Sequence, residues 1–411
     1  MLIKKESQEK KLSNNILSLS LEAAKAKEDN PDVINATIGM FNDESDSFYT
    51  FKTINEVLKS ISTYEAFSYA DTDGGVEFQN AALKWVFDEY LDVFMEKYYV
   101  GVVSTPGGSG AIATTFQNYL SENNRVLVPD VMWETYITLA KERNADVLKY
   151  QLYDSEGKFN LNSIKEAIES LIDTQSTIIL VLNDPCHNPT GFCMEESDYK
   201  DLVDLLNSYR HPILLLMDIA YFDFYDTNPN VIRQRFTLLT KLNDNIAINF
   251  AFSGSKTFGL YGLRIGANIL FSTDSKEIET FKNAITYTSR NNWGSSSRLG
   301  LSVITKLVSN EEYYRSFKEE IKEVSLILHE RSTAFFDEAK KHNLMTLPYK
   351  KGFFVCVPAK DPVALMNKLH EYDVYVVVTK TCIRVALCSI SVNEAKQLPK
   401  IILKAQKELE R

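Results

Sequence analysis

Short apolar runs alternate with amphipathic segments through the middle of the chain, and no other feature restricts the possible folds as strongly. The runs are Val126–Val128, Val147–Tyr150, Ile178–Leu182, Ile213–Met217, Ile246–Phe250 and Ala267–Phe271. Helical apolar spacing appears at Ile112–Leu120, Thr135–Arg143, Leu161–Leu171, Glu195–Tyr209 and Lys276–Thr288. A strand that is apolar on both sides must be covered on both faces. The pattern therefore predicts an α/β fold: a mostly parallel sheet sandwiched by helices.

The flanks read differently. Met1 to Asn15 is polar and expected to be a loosely held arm, followed by a helix over Ile16–Lys27 and a short strand over Val33–Ile38 that ends at Gly39. Phe51 to Tyr99 is mostly helical in pattern. After about Arg298 the texture changes to a long Glu- and Lys-rich helical stretch, Leu299–Lys340. It is followed by strands at Phe353–Val357, Val374–Val378 and Arg384–Cys388, and by helices at Pro362–Tyr372 and Val392–Glu410. This predicts a smaller α+β unit. The expected division is residues 1–50 as an arm and part of a small domain, 51–298 as a large domain, and 299–411 as a small C-terminal domain.

Composition removes several classes of function. Lys and Arg number 45 and Asp and Glu 55, a net charge of −10, which argues against a nucleic-acid binder held by phosphate contacts. The five cysteines (Cys186, Cys193, Cys356, Cys382, Cys388) are odd in number and show no paired metal spacing. Free thiols in a reducing compartment fit them best. Cys186, His187 and Cys193 do not make a zinc site, because neighbours in extended chain diverge and no fourth ligand has a useful spacing. No apolar signal segment opens the chain, and no uninterrupted apolar stretch of about 18 residues could span a membrane. A cytoplasmic protein is expected, with no metal, nucleic-acid or membrane partner.

Four segments carry chemistry. In Phe250–Gly266, Lys256 follows an apolar run and stands beside Ser253 and Ser255, with Arg264 eight residues on. A lysine amine attacks a carbonyl only when deprotonated, and a phosphate needs fixed donors such as hydroxyls and a guanidinium fork. One segment thus offers a Schiff-base lysine and a phosphate cradle. In Leu182–Gly191, Pro189 restrains Asn188 to extended geometry at the end of a strand, where open α/β sheets bind ligands. Alone, an ordinary Asn-Pro turn explains it equally well. In Ile213–Tyr221, an apolar strand ends in Asp218, with Tyr221 three residues later. Asp218 could simply cap the next turn. Equally, a carboxylate there can keep a pyridinium nitrogen protonated, and Tyr221 can hydrogen-bond the phenolic oxygen of the same ring. In Thr105–Ala111, glycines lead into a helix start, which favours an anion. Gly108-x-Gly110-x-x-Ala113 with Asp130 also satisfies a loose dinucleotide fingerprint, leaving a nicotinamide-dependent oxidoreductase as a remote alternative.

Together these segments resemble the class I aminotransferases of pyridoxal-phosphate (PLP) fold type I, the aspartate and aromatic aminotransferase relatives. The resemblance runs from about Ile34 to Arg384. It implies that Lys256 holds pyridoxal 5′-phosphate as a Schiff base and moves the proton. It implies that Asp218 partners the pyridine nitrogen, and that Tyr221 and Asn188 donate to the ring oxygen. Gly108, Ser109, Ser253, Ser255 and Arg264 resemble the phosphate cup, and Trp133 the aromatic stacked on the ring. Arg384 resembles the clamp for the substrate α-carboxylate. Gly39 and Asn188 are implied on the substrate side, and Gly352-Phe353-Phe354 resembles a wall of the substrate site. Tyr69 resembles the tyrosine that reaches the phosphate of a neighbouring subunit, which implies a homodimer.

Departures bear on specificity. Thr135 stands where relatives often have Asn, and Tyr287–Gly294 replaces a more proline-rich segment. Arg290 lies near the place of the dicarboxylate-specific arginine without a secure equivalence, so aspartate specificity is in doubt. The expected reaction moves an amino group from an L-amino acid, aromatic or broad-range, to a 2-oxo acid such as 2-oxoglutarate. Aspartate transamination, carbon–sulfur β-lyase chemistry and decarboxylation remain open alternatives. A non-catalytic regulator would add a DNA-binding module, for which the short arm before Ile16 has no room.

Overall fold

The computed structural model describes residues 2–8, 10 and 16–410. The loose arm expected over Met1–Asn15 falls partly outside the described residues. Two compact units divide the chain: Met1–Phe48 with Glu330–Leu347 and Phe354–Arg411, and Tyr49–His329 with Pro348–Phe353.

Among the described residues the strands in chain order are β1 (Ile34–Ala36), β2 (Tyr99–Thr105), β3 (Arg125–Pro129), β4 (Asp146–Tyr150), β5 (Ile178–Asn183), β6 (Ile213–Asp218), β7 (Ile246–Ser253), β8 (Gly266–Ser272), β9 (Phe354–Pro358), β10 (Val374–Val378) and β11 (Cys382–Ala386). The larger unit holds a seven-stranded sheet in the order β2-β8-β7-β6-β5-β3-β4. Neighbours from β7 to β4 are parallel, and β8 alone runs antiparallel to both β7 and β2. Every residue of β5, β6, β7 and β8 is buried, so both faces of the sheet centre are covered. That burial is why these strands read as continuous apolar runs rather than alternating ones.

The smaller unit holds a four-stranded sheet in the order β1-β10-β11-β9, parallel between β1 and β10 and antiparallel elsewhere. Helices Ile16–Asp29, Pro362–His370 and Val392–Leu409 belong to it. Ala23, Val33 and Tyr375 form one of its buried clusters.

Three expectations need correction. The stretch Leu299–Lys340 is two helices, Arg298–Ser309 and Glu311–His342, separated at Asn310. The larger unit continues to His329 rather than ending near Arg298. Surface composition therefore changes well before the chain leaves that unit, because an exposed helix face can be rich in Glu and Lys in either one. Finally, β2 was not expected. Gly101 interrupts its apolar run and lowers its strand character, yet a Cβ there would stand 2.9 Å from Phe281.

Candidate active site

The parallel strands place the site. Their register sets Asn183 beside Asp218 and Asp218 beside Ala251, at the carboxyl ends of β5, β6 and β7. Strand ends of this kind bind ligands in open α/β sheets.

Asp218 closes β6 and is buried. Burial pushes its carboxyl up to about 6, while the Tyr136 hydroxyl and the Ala220 N–H pull it back. Tyr136 donates to Oδ2 at 2.6 Å and Ala220 to Oδ1 at 3.2 Å. Tyr136 is wholly buried, and that burial holds its phenol far above the ordinary range, so it stays protonated as a donor. Among the described residues no cation pairs with Asp218. A carboxylate in this setting is stabilised by a protonated ring nitrogen brought against it.

Tyr136 was not anticipated from the sequence. The available signal was its place in the first turn of helix Thr135–Lys141, three residues after Trp133. The Trp133 and Tyr136 rings meet edge to face at 5.4 Å, which brings the expected stacking aromatic next to the Asp218 partner. Asn183 was missed as well. Its amide donates to the Asp218 carbonyl at 2.8 Å, and its Oδ1 accepts from the Asn188 N–H at 2.6 Å. One side chain thus fixes the Asn188 loop against the end of β6.

The rest of that loop is braced from below. Asp184 accepts from Tyr199 Oη at 2.6 Å and from the Met194 N–H at 2.7 Å, and burial pushes its carboxyl up to about 6. His187 Nδ1 meets Thr190 Oγ1 at 2.9 Å, and burial lowers the imidazole to about 3, so it is neutral near pH 7. All five cysteines are buried thiols outside any disulfide.

The lysine segment follows β7. Ser253 caps the short turn Gly254–Thr257, which carries Lys256. The Lys256 ammonium lies 5.7 Å from the Tyr221 ring centre and 4.8 Å from that of Tyr261. Tyr221 is buried and packs on Phe353 at 5.2 Å. Arg264 takes a left-handed backbone, φ 51°, which costs about 1–3 kcal/mol in a non-glycine residue. Its Nη1 donates to Ser255 Oγ at 2.9 Å.

The glycine run meets this segment. Helix Gly107–Tyr119 starts five residues before the expected Ile112. A Cβ on Gly107, whose φ is +74°, would stand 2.9 Å from Arg264 Nη2, and one on Gly108 would stand 3.2 Å from Ser253 Cβ. Gly107, Gly108, Ser253, Ser255 and Arg264 therefore form one cluster at a helix N-terminus, with Ser109 in its first turn. Backbone N–H groups, hydroxyls and a guanidinium fork together suit a phosphate. Asp130, the acidic member of the alternative fingerprint, has a local account: its Oδ1 accepts from the N–H groups of Val131 and Leu152 at 2.9 and 3.0 Å.

Within the smaller unit, Arg384 sits on β11 and is buried. Its Nη2 donates to the Thr37 carbonyl at 2.7 Å, and its guanidinium lies 4.2 Å from the Phe354 ring centre. Gly39 is buried in the loop after β1. Two expected residues stand apart: Tyr69 is 96% exposed, and Arg290 is exposed in the last turn of helix Ser275–Asn292.

The fold and the cluster at its strand ends define a class: an α/β protein with a pocket of donors suited to a phosphate. Comparison with known proteins agrees. Residues 31–402 match the family model for aminotransferase class I and II. The aspartate aminotransferase of Pseudomonas aeruginosa is 23% identical over 329 residues, 79% of this chain and 80% of that protein. An aminotransferase from Anaerococcus prevotii superposes with a TM-score of 0.91 at 23% identity, covering 99% of both chains. An aromatic-amino-acid aminotransferase from Burkholderia pseudomallei, solved covalently bound to pyridoxal phosphate, gives 0.79 at 20% identity over 98% of this chain and 100% of that one. The chain belongs to the class I and II aminotransferase family, whose cofactor is pyridoxal 5′-phosphate, and this sets aside the nicotinamide alternative.

Proposed function

We propose that this aminotransferase takes an aromatic or broad range of L-amino acids as donors and a 2-oxo acid such as 2-oxoglutarate as acceptor, with Lys256 as its cofactor lysine. The observation that carries the site assignment is Asp218: a buried carboxylate at a strand end, fixed by Tyr136 and with no protein cation among the described residues.

Bound pyridoxal phosphate supplies a carbonyl for imine chemistry and a protonated ring that accepts electrons from the substrate Cα. The chain's own groups do the rest. Asp218 would keep the ring nitrogen protonated. Tyr221 and Asn188 would donate to the phenolic oxygen. Gly108, Ser109, Ser253, Ser255 and Arg264 would anchor the phosphate, and Trp133 would pack on the ring. Lys256 would hold the cofactor through its amine, and the same amine would serve as the positioned base that moves the substrate Cα proton. Arg384 receives the α-carboxylate, a role for which a planar fork is better suited than a lysine. By the family resemblance, Gly39 and Asn188 are each assigned to the substrate.

A donor range that reaches aromatic amino acids is supported by the relatives, which include aromatic-amino-acid and tyrosine aminotransferases beside aspartate aminotransferases. A homodimer is supported by the exposure of Tyr64, Phe67, Tyr69 and Val76 on one short segment, an unusual concentration of apolar surface. Tyr69 would then reach the partner's phosphate. Five thiols outside any disulfide support a reducing, cytoplasmic setting. No helix among the described residues is long and apolar enough to cross a membrane.

The test is the absorption spectrum of the PLP-loaded protein and of Lys256→Ala, before and after phenylalanine, tyrosine or aspartate. The wild type should show a band at roughly 360–430 nm that moves to roughly 330 nm with a good donor, and the variant should lack the lysine-linked band. A loaded protein whose spectrum is indifferent to Lys256 replacement would remove the assignment. A response to aspartate alone would replace the donor preference. Sedimentation of the loaded protein decides between monomer and dimer.

A further inference from the structure

A second buried polar cluster lies directly behind the Lys256 turn. Asp223 follows Tyr221 by two residues, in the tight turn Phe222–Phe224, and is buried. Its Oδ1 pairs with Arg233 Nη2 at 2.8 Å, with side-chain exposures of 1% and 0%. Its Oδ2 accepts from Trp85 Nε1 at 2.9 Å and from Thr257 Oγ1 at 2.7 Å. Arg233 also donates to the Trp85 and Pro229 carbonyls, each at 2.7 Å, and stacks 4.9 Å from the Phe222 ring centre. The buried charge is therefore balanced and its hydrogen bonds are made, the condition under which such a pair is rigid rather than merely costly.

Arg233 and Trp85 already give the carboxylate a cation and a donor. The Thr257 bond does something different: it joins the residue next to Lys256 to the turn just after Tyr221. These two pieces of chain come from the ends of different strands, β6 and β7, and they carry groups that must keep a fixed separation. Resting on the reading that Lys256 is the cofactor lysine, we propose that Asp223 and Thr257 are positioning residues. Through their hydrogen bond they hold the Lys256 amine in register against Tyr221. Neither touches the reacting atoms.

Thr257→Val removes the hydroxyl while keeping the shape and leaving the Asp223–Arg233 pair intact. Thr257→Ser returns the hydroxyl. Two readouts are needed, both on the full chain. In cofactor-free protein, the acetylation rate of Lys256 is followed by peptide mass, relative to the exposed Lys276. In PLP-loaded protein, kcat and KM for the amino donor are measured. Thr257→Val should change the relative Lys256 rate by at least about threefold and lower kcat about tenfold with KM within about twofold, since sub-ångström misplacement of a base falls on the chemical step. Thr257→Ser should restore both. If the valine variant is not folded at the assay temperature, Thr257→Ala carries the same expectation without a methyl against the carboxylate.

Unchanged labelling and kcat in a folded variant overturn the proposal. So does a loss that Thr257→Ser fails to restore. Borohydride reduction and peptide mapping of loaded wild type separate the two layers. PLP attached elsewhere than Lys256 refutes the underlying assignment. Attachment at Lys256 with no response at Thr257 refutes the positioning role alone.

Discussion

The Tyr136 hydroxyl donates to Asp218 Oδ2 at 2.6 Å, so the carboxylate at the end of β6 is oriented by a neutral group. A phenol held far above its ordinary pKa cannot ionise in the working range, nor can it compete as a cation for the carboxylate. Asp218 thus keeps its negative charge for whatever cation is brought to it.

Tyr136→Phe should therefore raise the Asp218 pKa further above about 6 and weaken the cofactor's ring-nitrogen contact. A hydrogen bond to a charged group is worth roughly 1.5–3 kcal/mol, so kcat/KM should fall by about ten- to a hundredfold. Steady-state rates across pH check this. A variant with a wild-type profile would show that the bond does not act on Asp218.

Asp218 also makes a signed prediction for the cofactor-free protein. Its folded pKa, about 6, exceeds the ordinary carboxylate value near 4. Between those values the folded state binds more protons than the unfolded one, so this group's contribution to stability falls as pH rises from about 4 to 6 and then levels off. Asp184 adds a contribution of the same sign, and His187, lowered to about 3, one of opposite sign between about 3 and 6.5. Comparing wild type with Asp218→Asn isolates the first. The variant should melt higher at pH 7 without cofactor, and the difference should shrink toward pH 4.5. With PLP the order should reverse, and activity should drop by about a hundredfold or more as the ring loses its partner.

Gly107→Ala tests the phosphate cluster. The added methyl meets Arg264 Nη2 at 2.9 Å on a backbone with φ +74°, so either the guanidinium or the loop must move. PLP affinity, read by fluorescence titration, should fall at least about tenfold, roughly 1.4 kcal/mol. Unchanged affinity would exclude Arg264 as a phosphate anchor.

Arg384→Lys keeps the charge and loses the fork. KM for the amino donor should rise about tenfold or more, while PLP affinity and the visible band stay as in wild type. A parallel loss of PLP affinity would show that the residue acts on the cofactor or the fold rather than on substrate.

Much of the central sheet was legible in the chain, because β5, β6 and β7 are buried on both faces and such strands must be written as unbroken apolar runs. That the glycine run would meet the serines and arginine was legible too, since a phosphate cradle needs those residue types, and Gly107, Gly108, Ser253, Ser255 and Arg264 do pack together. The early start of helix Gly107–Tyr119 was not. Glycines are poor helix formers, and what holds them helical is close packing, with a Cβ on Gly110 falling 2.5 Å from Pro106. Strand order, the reversed direction of β8 and the chain's passage between its two units are likewise unwritten locally. Local patterning reports what one segment needs from its surroundings. It does not say which distant segment provides it: Tyr136 reaches Asp218 across 82 positions and Thr257 reaches Asp223 across 34, and those pairings exist only because parallel strands bring their ends to one edge.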